Sequence, residues 1–358
     1  MTTLSRPVNT SPFYGYQLRK FTIRALLSLL VFFGLVIYLM PLGNMLMTAL
    51  RDTQNLSTTQ EEPIYPTKPK TFNYKGQDIP IYKVPQESGE VKEMALVKGT
   101  RAKSTFVDPA NPDAGEIEWK GNYRSLEPVL VFSARWENFA EAWDKINFPL
   151  LFRNTLVIAV VGMIGTLLSS ICVAYAFARF PIPGKNILFI VLIGTIILPS
   201  QVTLIPTYAF FRLIGWIGTW LPLIVPHFFA NAYNVFLLRQ YFMTLPKDLD
   251  EAAMIDGAGP FQILTRVIIP QSWPAIISVA VFHFIFAWND FFGPLVYLGS
   301  KPDLQPISVG VQVFSFQYGP RPDLIQATSL MAMLLPLVIF FAAQRVFMRG
   351  VVITGVEK

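Results

Sequence analysis

The chain has 358 residues, of which 53% are hydrophobic and 15% are charged, and its mean hydropathy is +0.44. This composition excludes an ordinary soluble protein of that length. The net charge of +6 does not indicate nucleic-acid binding, because residues 51–135 carry 12 basic and 12 acidic side chains and the excess charge lies in the apolar part and its edges.

Six windows of about 20 apolar residues are long enough to cross a bilayer as helices. They are Ala25–Leu50, Asn154–Ala178, Ile187–Tyr208, Thr219–Leu238, Trp273–Leu298 and Leu324–Phe347. The first window is too long, and fits a small-residue cleavage site too poorly, for a removable signal peptide, so we interpret it as a retained span. The sequence therefore predicts an all-α membrane bundle of six transmembrane helices.

Basic residues divide the ends of these windows into two sets. The larger set contains Arg6, Arg19, Lys20, Arg24, Arg179, Lys185, Arg239, Lys247, Arg266, Arg345, Arg349 and Lys358. The short connections on the other side contain only Arg212, Lys301 and Arg321. Since short cytoplasmic connections are enriched in Lys and Arg, both termini are predicted to be cytoplasmic in a multi-pass protein of the cell membrane.

This topology predicts the organisation of the whole chain. The expected order is a cytoplasmic N-terminus at 1–24, a first span at 25–50, an extracytoplasmic insertion at 51–135, a membrane core at 136–347 with a cytoplasmic loop at 245–270, and a cytoplasmic tail at 348–358.

The insertion at 51–135 is typical of short β-strands rather than helices. The extended runs are 71–84 around a Lys75–Asp78 turn, 90–97 and 104–107 on either side of a Lys98-Gly99 turn, 116–119 and 128–132. The only cysteine, Cys172, lies in a predicted span, so no disulfide can hold this region together. We expect a small β-rich extracytoplasmic domain, and the alternative is a partly disordered loop.

The segment 245–270, LPKDLDEAAMIDGAGPFQILTRVIIP, is polar and helix-prone between two apolar windows. Pro246 suits a first helical position, and three acidic residues follow in the first turn, where the helix dipole favours negative charge. Gly257 fits the left-handed residue that ends a helix. Gly259 and Pro260 then begin a second helix, which Pro270 closes. The pattern predicts two short helices outside the membrane that contact a partner.

Motifs for catalysis are missing from the sequence. Neither His227 nor His283 has a Cys, His or carboxylate at metal-ligand spacing, and there is no GxxxxGK[ST], GxSxG or HExxH. We therefore expect no catalytic site, metal or cofactor in this chain. Uphill transport would take its energy from another polypeptide.

The loop nevertheless carries a recognisable pattern. Glu251-Ala252-Ala253, followed by Gly257 and then by Val267 and Ile269-Pro270, resembles the EAA loop of the permease subunits of ABC importers. Val267 and Ile269 differ from the usual Ile and Leu, which is a minor change in an apolar contact. Further matches to carbohydrate-type permeases are NVFLLRQYF at 234–242, WNDF at 288–291 and QRVFMRG at 344–350. The chain most resembles the smaller permease subunit of maltose-type importers over 136–358, and the insertion stays unexplained.

The resemblance implies the type I importer permease fold and a docking role for the loop. The first loop helix would enter a cleft on an ATPase, and Ala252 and Ala253 would let the two backbones approach closely. Glu251 would pair with a basic residue, and Gly257 would set the angle of the second helix. The apolar anchors would be Leu249, Met254 and Ile255. The alternative is a helix on the lipid surface, although such helices carry Lys and Arg on their polar face.

The C-terminal tail has two interpretations. The resemblance implies that it reaches into the ATPase dimer as an extended segment. The residues concerned are Arg349, Gly350, Thr354 and Gly355. The alternative is a frayed terminus whose basic residues contact lipid headgroups.

Polar side chains inside spans are functional candidates, because they are costly in lipid. The candidates for pathway or substrate contacts are Tyr233, Asn234, His283, Trp288, Asn289 and Asp290. Amides and carboxylates bind sugar hydroxyls, and aromatic rings pack on sugar C–H faces. The alternative is interhelical hydrogen bonding that holds the bundle together, which we favour for Asn289 and Asp290.

The sequence thus predicts the permease subunit of an ATP-driven importer that moves a carbohydrate, an oligosaccharide, into the cytoplasm. The partners implied by the resemblance are an ATP-binding cassette ATPase dimer, a second permease subunit and an extracytoplasmic solute-binding protein, with membrane lipid around the bundle. The alternatives are a permease for a sugar alcohol or glycerol phosphate, a membrane scaffold without a pathway, and an intramembrane enzyme. The missing catalytic pair disfavours the enzyme.

Overall fold

The computed structural model describes residues 12–52, 65–86, 90–100, 102–316 and 321–352. The chain forms two compact units, Met1–Arg135 and Trp136–Lys358.

The first unit begins with the long apolar helix α1 (Pro12–Ala49). Its 38 residues give a length of about 57 Å at 1.5 Å per residue, more than the thickness of a bilayer core. Leucine, phenylalanine and valine side chains are exposed along its length. Such a surface suits lipid rather than water.

The rest of the first unit is a β region. Its strands are β1 (Thr67–Pro69), β2 (Thr71–Tyr74), β3 (Gln77–Pro85), β4 (Val91–Gly99), β5 (Lys103–Val107), β6 (Glu116–Lys120), β7 (Glu127–Pro128) and β8 (Leu130–Phe132). Strands β2 to β6 pair in sequence order as antiparallel neighbours, β7 pairs with β3, and β1 pairs with β8. Two short 3₁₀ segments, Pro112–Ala114 and Tyr123–Ser125, lie between the later strands.

Turn chemistry explains one predicted hairpin and corrects another. Lys75 and Gly76 both have positive φ, of 52° and 84°, which is the two-residue turn that matches the twist of β2 and β3. The predicted turn at Lys98-Gly99 is wrong, because β4 continues through Gly99 and pairs there with Ser104. The chain reverses after it, where the Thr100 N–H donates to Lys103 O at 3.0 Å.

The strand register gives the β region its core. Tyr82, Met94 and Phe106 alternate with Ala95 and Val107 along β3 to β5, so two apolar clusters form on opposite faces. Ion pairs join side chains of the strands and of the residues next to them, and these pairs are Lys70–Glu93, Lys83–Glu127, Lys92–Asp108 and Lys103–Glu118. This pairing accounts for much of the charge balance in this part of the sequence.

The second unit is helical. Its helices are α2 (Glu137–Lys145), α3 (Phe148–Arg179), α4 (Lys185–Gly194), α5 (Ser200–Leu213), α6 (Leu221–Ile224), α7 (Ala232–Thr244), α8 (Asp248–Ile255), α9 (Pro260–Ile263), α10 (Ile269–Gln271), α11 (Trp273–Asn289), α12 (Phe292–Leu298), α13 (Ile307–Gly310), α14 (Val313–Phe316) and α15 (Pro322–Val352). Short 3₁₀ segments lie at Thr195–Ile197, Val225–Phe228 and Pro302–Leu304, and a π-helical turn at Leu264–Ile268.

Several helices are apolar and long enough to cross a membrane. Within the described parts of the chain, the candidates without a sharp bend are Tyr16–Ala49, Phe148–Arg179, Leu221–Thr244 and Pro322–Arg345. Two bent pairs pass the same test, Lys185–Ile197 with Val202–Leu213 and Pro260–Gln271 with Trp273–Asn289. The described residues therefore contain four candidate spans, or up to six if each bent pair is one span.

Helix α3 is the centre of the second unit. It packs against α7, α11 and the 3₁₀ segment Val225–Phe228. At one end of α3 the Asn154 amide donates to Asp303 O and Gln305 O, at 2.8 and 3.0 Å. The other end, at Arg179, contacts the loop between α7 and α11. This helix of 32 residues therefore connects the two ends of the bundle.

Candidate functional site

The loop between α7 and α11 forms the two helical parts that the sequence predicts. Helix α8 begins two residues after Pro246, and Asp248, Asp250 and Glu251 lie in its first turn. Gly257 ends the helix with φ +82°, and the Ala258 N–H donates back to Ala253 O at 2.9 Å. The predicted left-handed cap is therefore confirmed.

One face of α8 points away from the protein. Glu251 and Ala252 are exposed, and so are Leu249, Met254 (58%) and Ile255 (87%). Phe261 on α9 is also exposed, at 74%. Exposed apolar side chains grouped on a polar loop mark an interaction surface. We call Leu249, Met254, Ile255 and Phe261 the exposed apolar residues of the loop.

The opposite face of α8 is fixed to the bundle. Asp250 is buried, and its Oδ2 lies 2.8 Å from Nε of Arg179, the last residue of α3. The Arg179 Nη2 also donates to Leu245 O at 3.0 Å. Burial raises the pKa of the Asp250 carboxyl above its ordinary value, and the Arg179 guanidinium opposes this shift. Ala253 is half-buried against the apolar core, so the three residues of the EAA triplet do not share one environment.

The second helical part supports the first. Ile263, Leu264 and Ile268 are buried in one cluster with residues of α3 and α7. The Gly259 N–H donates to the Gln262 side-chain oxygen at 2.9 Å, which caps α9. After α10 the chain bends by 82° at the buried Ser272 and enters α11. The loop is thus packed against the bundle and does not extend freely into the solvent.

A cavity of about 290 Å³, partly open to the surface of the bundle, lies beside a break in the fourth helical segment. Pro222 and Pro226 begin α6 and the 3₁₀ segment, and proline removes backbone donors from a continuous helix. Helix α7 then restarts at Asn231, whose Oδ1 accepts from the N–H groups of Tyr233 and Asn234. The cavity is lined by His227, Asn231, Tyr233, Asn234, Phe282, His283 and Phe286.

Two histidines meet at this cavity. The ring centroids of His227 and His283 are 4.5 Å apart, and the rings are nearly perpendicular. The Thr166 hydroxyl lies 3.1 Å from His283 Nδ1. The buried His283 Nε2 has no hydrogen-bond partner among the described residues. Sequence reasoning missed His227, since 56 residues separate it from its neighbour and no local pattern joins them.

The six predicted pathway residues do not form one group. Tyr233, Asn234 and His283 line the cavity, whereas the other three lie elsewhere. Trp288 packs between the rings of Phe152 and Phe284.

The remaining two predicted residues make local bonds. The Asn289 amide donates to Ile285 O in its own helix, and the Asp290 carboxylate accepts from the Gly293 N–H at 3.3 Å. Helix α11 ends at Asn289, so Asp290 does not continue the helical face of His283.

The predicted tail residues are only partly within the described structure. Arg349 and Gly350 belong to α15, which runs to Val352, so Gly350 is helical rather than extended. Thr354 and Gly355 lie outside the described residues.

The close approach of α3 to the cavity wall gives a first testable prediction. A Cβ on Gly165 would lie 2.5 Å from the Phe228 ring. We expect Gly165→Leu to push the broken segment off α3 and to lower the melting temperature and uptake rate of the purified transporter, since overpacking costs about 1–3 kcal/mol. Gly194→Leu is the matched control, because nothing lies within 4 Å of that position. Equal effects of the two changes would contradict the prediction.

The chain is similar in sequence to known membrane transport components. Residues 165–352 match the family described as "Binding-protein-dependent transport system inner membrane component". The "Osmoprotective compounds uptake permease protein GgtD" of Synechocystis sp. is 38% identical over 64% of this chain and 78% of its own length. The "Alpha-glucoside transport system permease protein AglG" of Rhizobium meliloti is 30% identical over 62% of this chain and 60% of its own length.

A solved structure shares the fold. A bacterial ABC transporter involved in the import of the acidic polysaccharide alginate contains a chain that superposes with a TM-score of 0.62, at 18% identity, over 96% of this chain and 99% of its own. The fold is therefore that of a type I ABC importer permease. Because the family match spans more than half of the 358 residues, the chain belongs to the family of binding-protein-dependent transport system inner membrane components, the permeases that its EAA-like loop resembles.

Proposed function

We propose that this chain moves a carbohydrate, an oligosaccharide, into the cytoplasm as one of two permease subunits of an ATP-driven importer. An ATPase dimer binds its α8 loop from the cytoplasm, and an extracytoplasmic solute-binding protein delivers the substrate. The chain has no catalytic site of its own. The observation that carries this proposal is α8, which presents exposed apolar side chains while its inner side is anchored to the bundle by a buried ion pair.

The proposed topology has six spans, with the bent pair Lys185–Ile197 and Val202–Leu213 counted as one span and α11 counted without the preceding part at Pro260–Gln271, which belongs to the loop. Residues 1–24 and 348–358 are cytoplasmic, and 51–135 form the β-rich insertion outside. The loop at 245–270 is cytoplasmic because it adjoins Arg179, Lys185 and Arg239, which belong to the basic set of segment ends.

The cavity supports a carbohydrate as the substrate. Its wall offers amides, imidazoles and a phenol for hydroxyl groups, together with phenylalanine rings for C–H faces. No Lys, Arg, Asp or Glu is among the described residues that line it. An uncharged substrate therefore fits better than glycerol phosphate. A volume near the lower end of ligand pockets, which span about 300–1,000 Å³, suits one unit of a longer chain.

A small polar solute such as a sugar alcohol is the second candidate. The relative GgtD is named for the uptake of osmoprotective compounds, whereas AglG is named for alpha-glucoside transport. The same uncharged wall accommodates both classes, because each presents hydroxyl groups and C–H faces.

The mechanism follows from differential binding. ATP favours the closed ATPase pair, and an α8 docked on that pair moves with it. The permease pair then turns outward, because the two states of the ATPase bind the loop in different positions. ATP shifts the transport equilibrium only by the free-energy difference that this contact carries.

The proposal is tested by transport in vesicles that contain the complete importer encoded with this chain. The expected result is ATP-dependent uptake of a labelled oligosaccharide, competed by related sugars and not by glycerol phosphate. Uptake of a sugar alcohol alone would select the second candidate. ATPase recruitment with no uptake of any tested solute would identify a scaffold and overturn the proposal.

A further inference from the structure

The inner end of α3 and the α8 loop share a set of buried contacts. The side chains of Arg179 and Asp250 are 6% and 8% exposed, and their charged atoms are 2.8 Å apart. One turn earlier on α3, the Tyr175 hydroxyl donates to Pro260 O at 3.3 Å. Arg179 also donates to Leu245 O. The end of α3 therefore contacts the chain before, within and after α8.

A buried ion pair is an unusual way to attach a surface helix. An apolar contact would provide packing without the cost of desolvating two charges. A charged pair instead specifies one position, because any displacement leaves buried charges without a partner. Neither Asp250 Oδ1 nor Arg179 Nε has a hydrogen-bond partner among the described residues, so the pair is held by charge attraction across 2.8 Å and depends on the two groups staying opposite each other.

Helix α3 leads from this pair to the cavity without a break. It runs from Phe148 to Arg179, and its mid-section faces the cavity wall. A Cβ on Gly162 would lie 3.1 Å from the His227 ring, and a Cβ on Gly165 would lie 2.5 Å from the Phe228 ring. A shift of the Arg179 end therefore moves a helix that is in direct contact with the histidine pair.

We propose that Arg179 is a positioning residue that joins α8 to α3, so that α8 and α3 move as one body and displacement of the docked loop reaches the cavity. This inference rests on the proposed coupling to an ATPase. It assigns Arg179 and Asp250 to force transmission, whereas the exposed side chains of α8 make the contact with the partner.

The test uses the complete importer in membrane vesicles and measures two quantities, the amount of assembled complex and the solute moved per ATP hydrolysed. The variants are Asp250→Asn, Arg179→Met and the charge swap Arg179→Asp with Asp250→Arg. Asp248→Asn is the matched control, because Asp248 is an exposed acid in the same turn of α8.

We expect each single variant to lower the solute moved per ATP by at least about fivefold, the lower end of typical coupling. The charge swap should recover most of this ratio, and Asp248→Asn should leave it unchanged. If a single variant does not accumulate in the membrane, the charge-swap variant is used as the test. The proposal is supported if that variant assembles and moves a normal amount of solute per ATP hydrolysed.

The proposal is overturned if the single variants keep the normal ratio, or if the swap restores neither assembly nor coupling. These outcomes differ from failure of the proposed function. In that case the unchanged importer itself would show no ATP-dependent uptake, whatever residues 179 and 250 are.

Discussion

Gly257→Val is expected to reduce ATP-dependent uptake by at least about tenfold, while the chain still inserts in the membrane. Gly257 has φ +82°, and a left-handed conformation costs about 1–2 kcal/mol for residues with a Cβ, with β-branched residues least tolerant. The chain would leave α8 along another path, so α8 would be presented to the ATPase at a different angle. Uptake, ATPase activity and complex assembly in the same vesicles measure this effect.

Gly259→Val is the matched control, because it adds the same side chain two residues away. Gly259 has φ −76°, and nothing lies within 4 Å of a Cβ at either glycine. The difference between the two positions is therefore backbone conformation rather than crowding. Normal uptake in Gly257→Val would show that the angle between α8 and α9 does not matter, and the assignment of a coupling role to this loop would be wrong.

Much of the fold could be predicted from hydropathy and from the residues that form turns and helix ends. The apolar windows coincide with the helical segments, and the β2–β3 hairpin lies where the Lys75-Gly76 turn predicts it. The ends of the helices could not be predicted as closely, because an apolar window does not show where a helix continues into polar sequence. Helix α1 begins at Pro12, well before the predicted span at Ala25.

Breaks inside the spans could be anticipated but not located. The prolines at 222 and 226 indicate an interruption, yet the position of the cavity depends on how α3 and α11 pack against it. Gly162 and Gly165 permit that packing, and their importance appears only when their neighbours are known.

In the α8 loop, too, local features could be predicted from the sequence but a long-range contact could not. Its local features, including the acidic first turn and the Gly257 cap, follow from residues close in sequence. The Asp250–Arg179 pair joins positions 71 residues apart and could not be read from either segment. The long-range contact distinguishes Asp250, which faces the bundle, from Glu251 beside it, which faces the solvent.

Asn234→Leu is expected to lower the maximal uptake rate by about tenfold, with ATPase recruitment unchanged. Leucine has a similar size but offers no hydrogen bond, and a buried hydroxyl of the substrate left unpaired costs about 1–3 kcal/mol. The half-saturating concentration should change little, because the proposed solute-binding protein captures the substrate first. Initial rates over a range of solute concentrations separate these two quantities.

A structural role for the cavity predicts a different result. If Asn234 only supported the helix break, all solutes would be slowed in the same proportion. A substrate contact should instead change the ratio of uptake between two sugars that differ in one hydroxyl group.

Tyr233→Leu and Phe236→Leu extend this comparison. Both replace an aromatic residue on α7, but only Tyr233 lines the cavity, whereas Phe236 stacks on Phe189. We expect Tyr233→Leu to change the ratio and Phe236→Leu to leave it constant. If the ratio of uptake between the two sugars stayed constant in all three variants, the cavity would not be part of the transport pathway. A cavity that contacts the solute should discriminate differently between the sugars once an aromatic ring or an amide has been replaced.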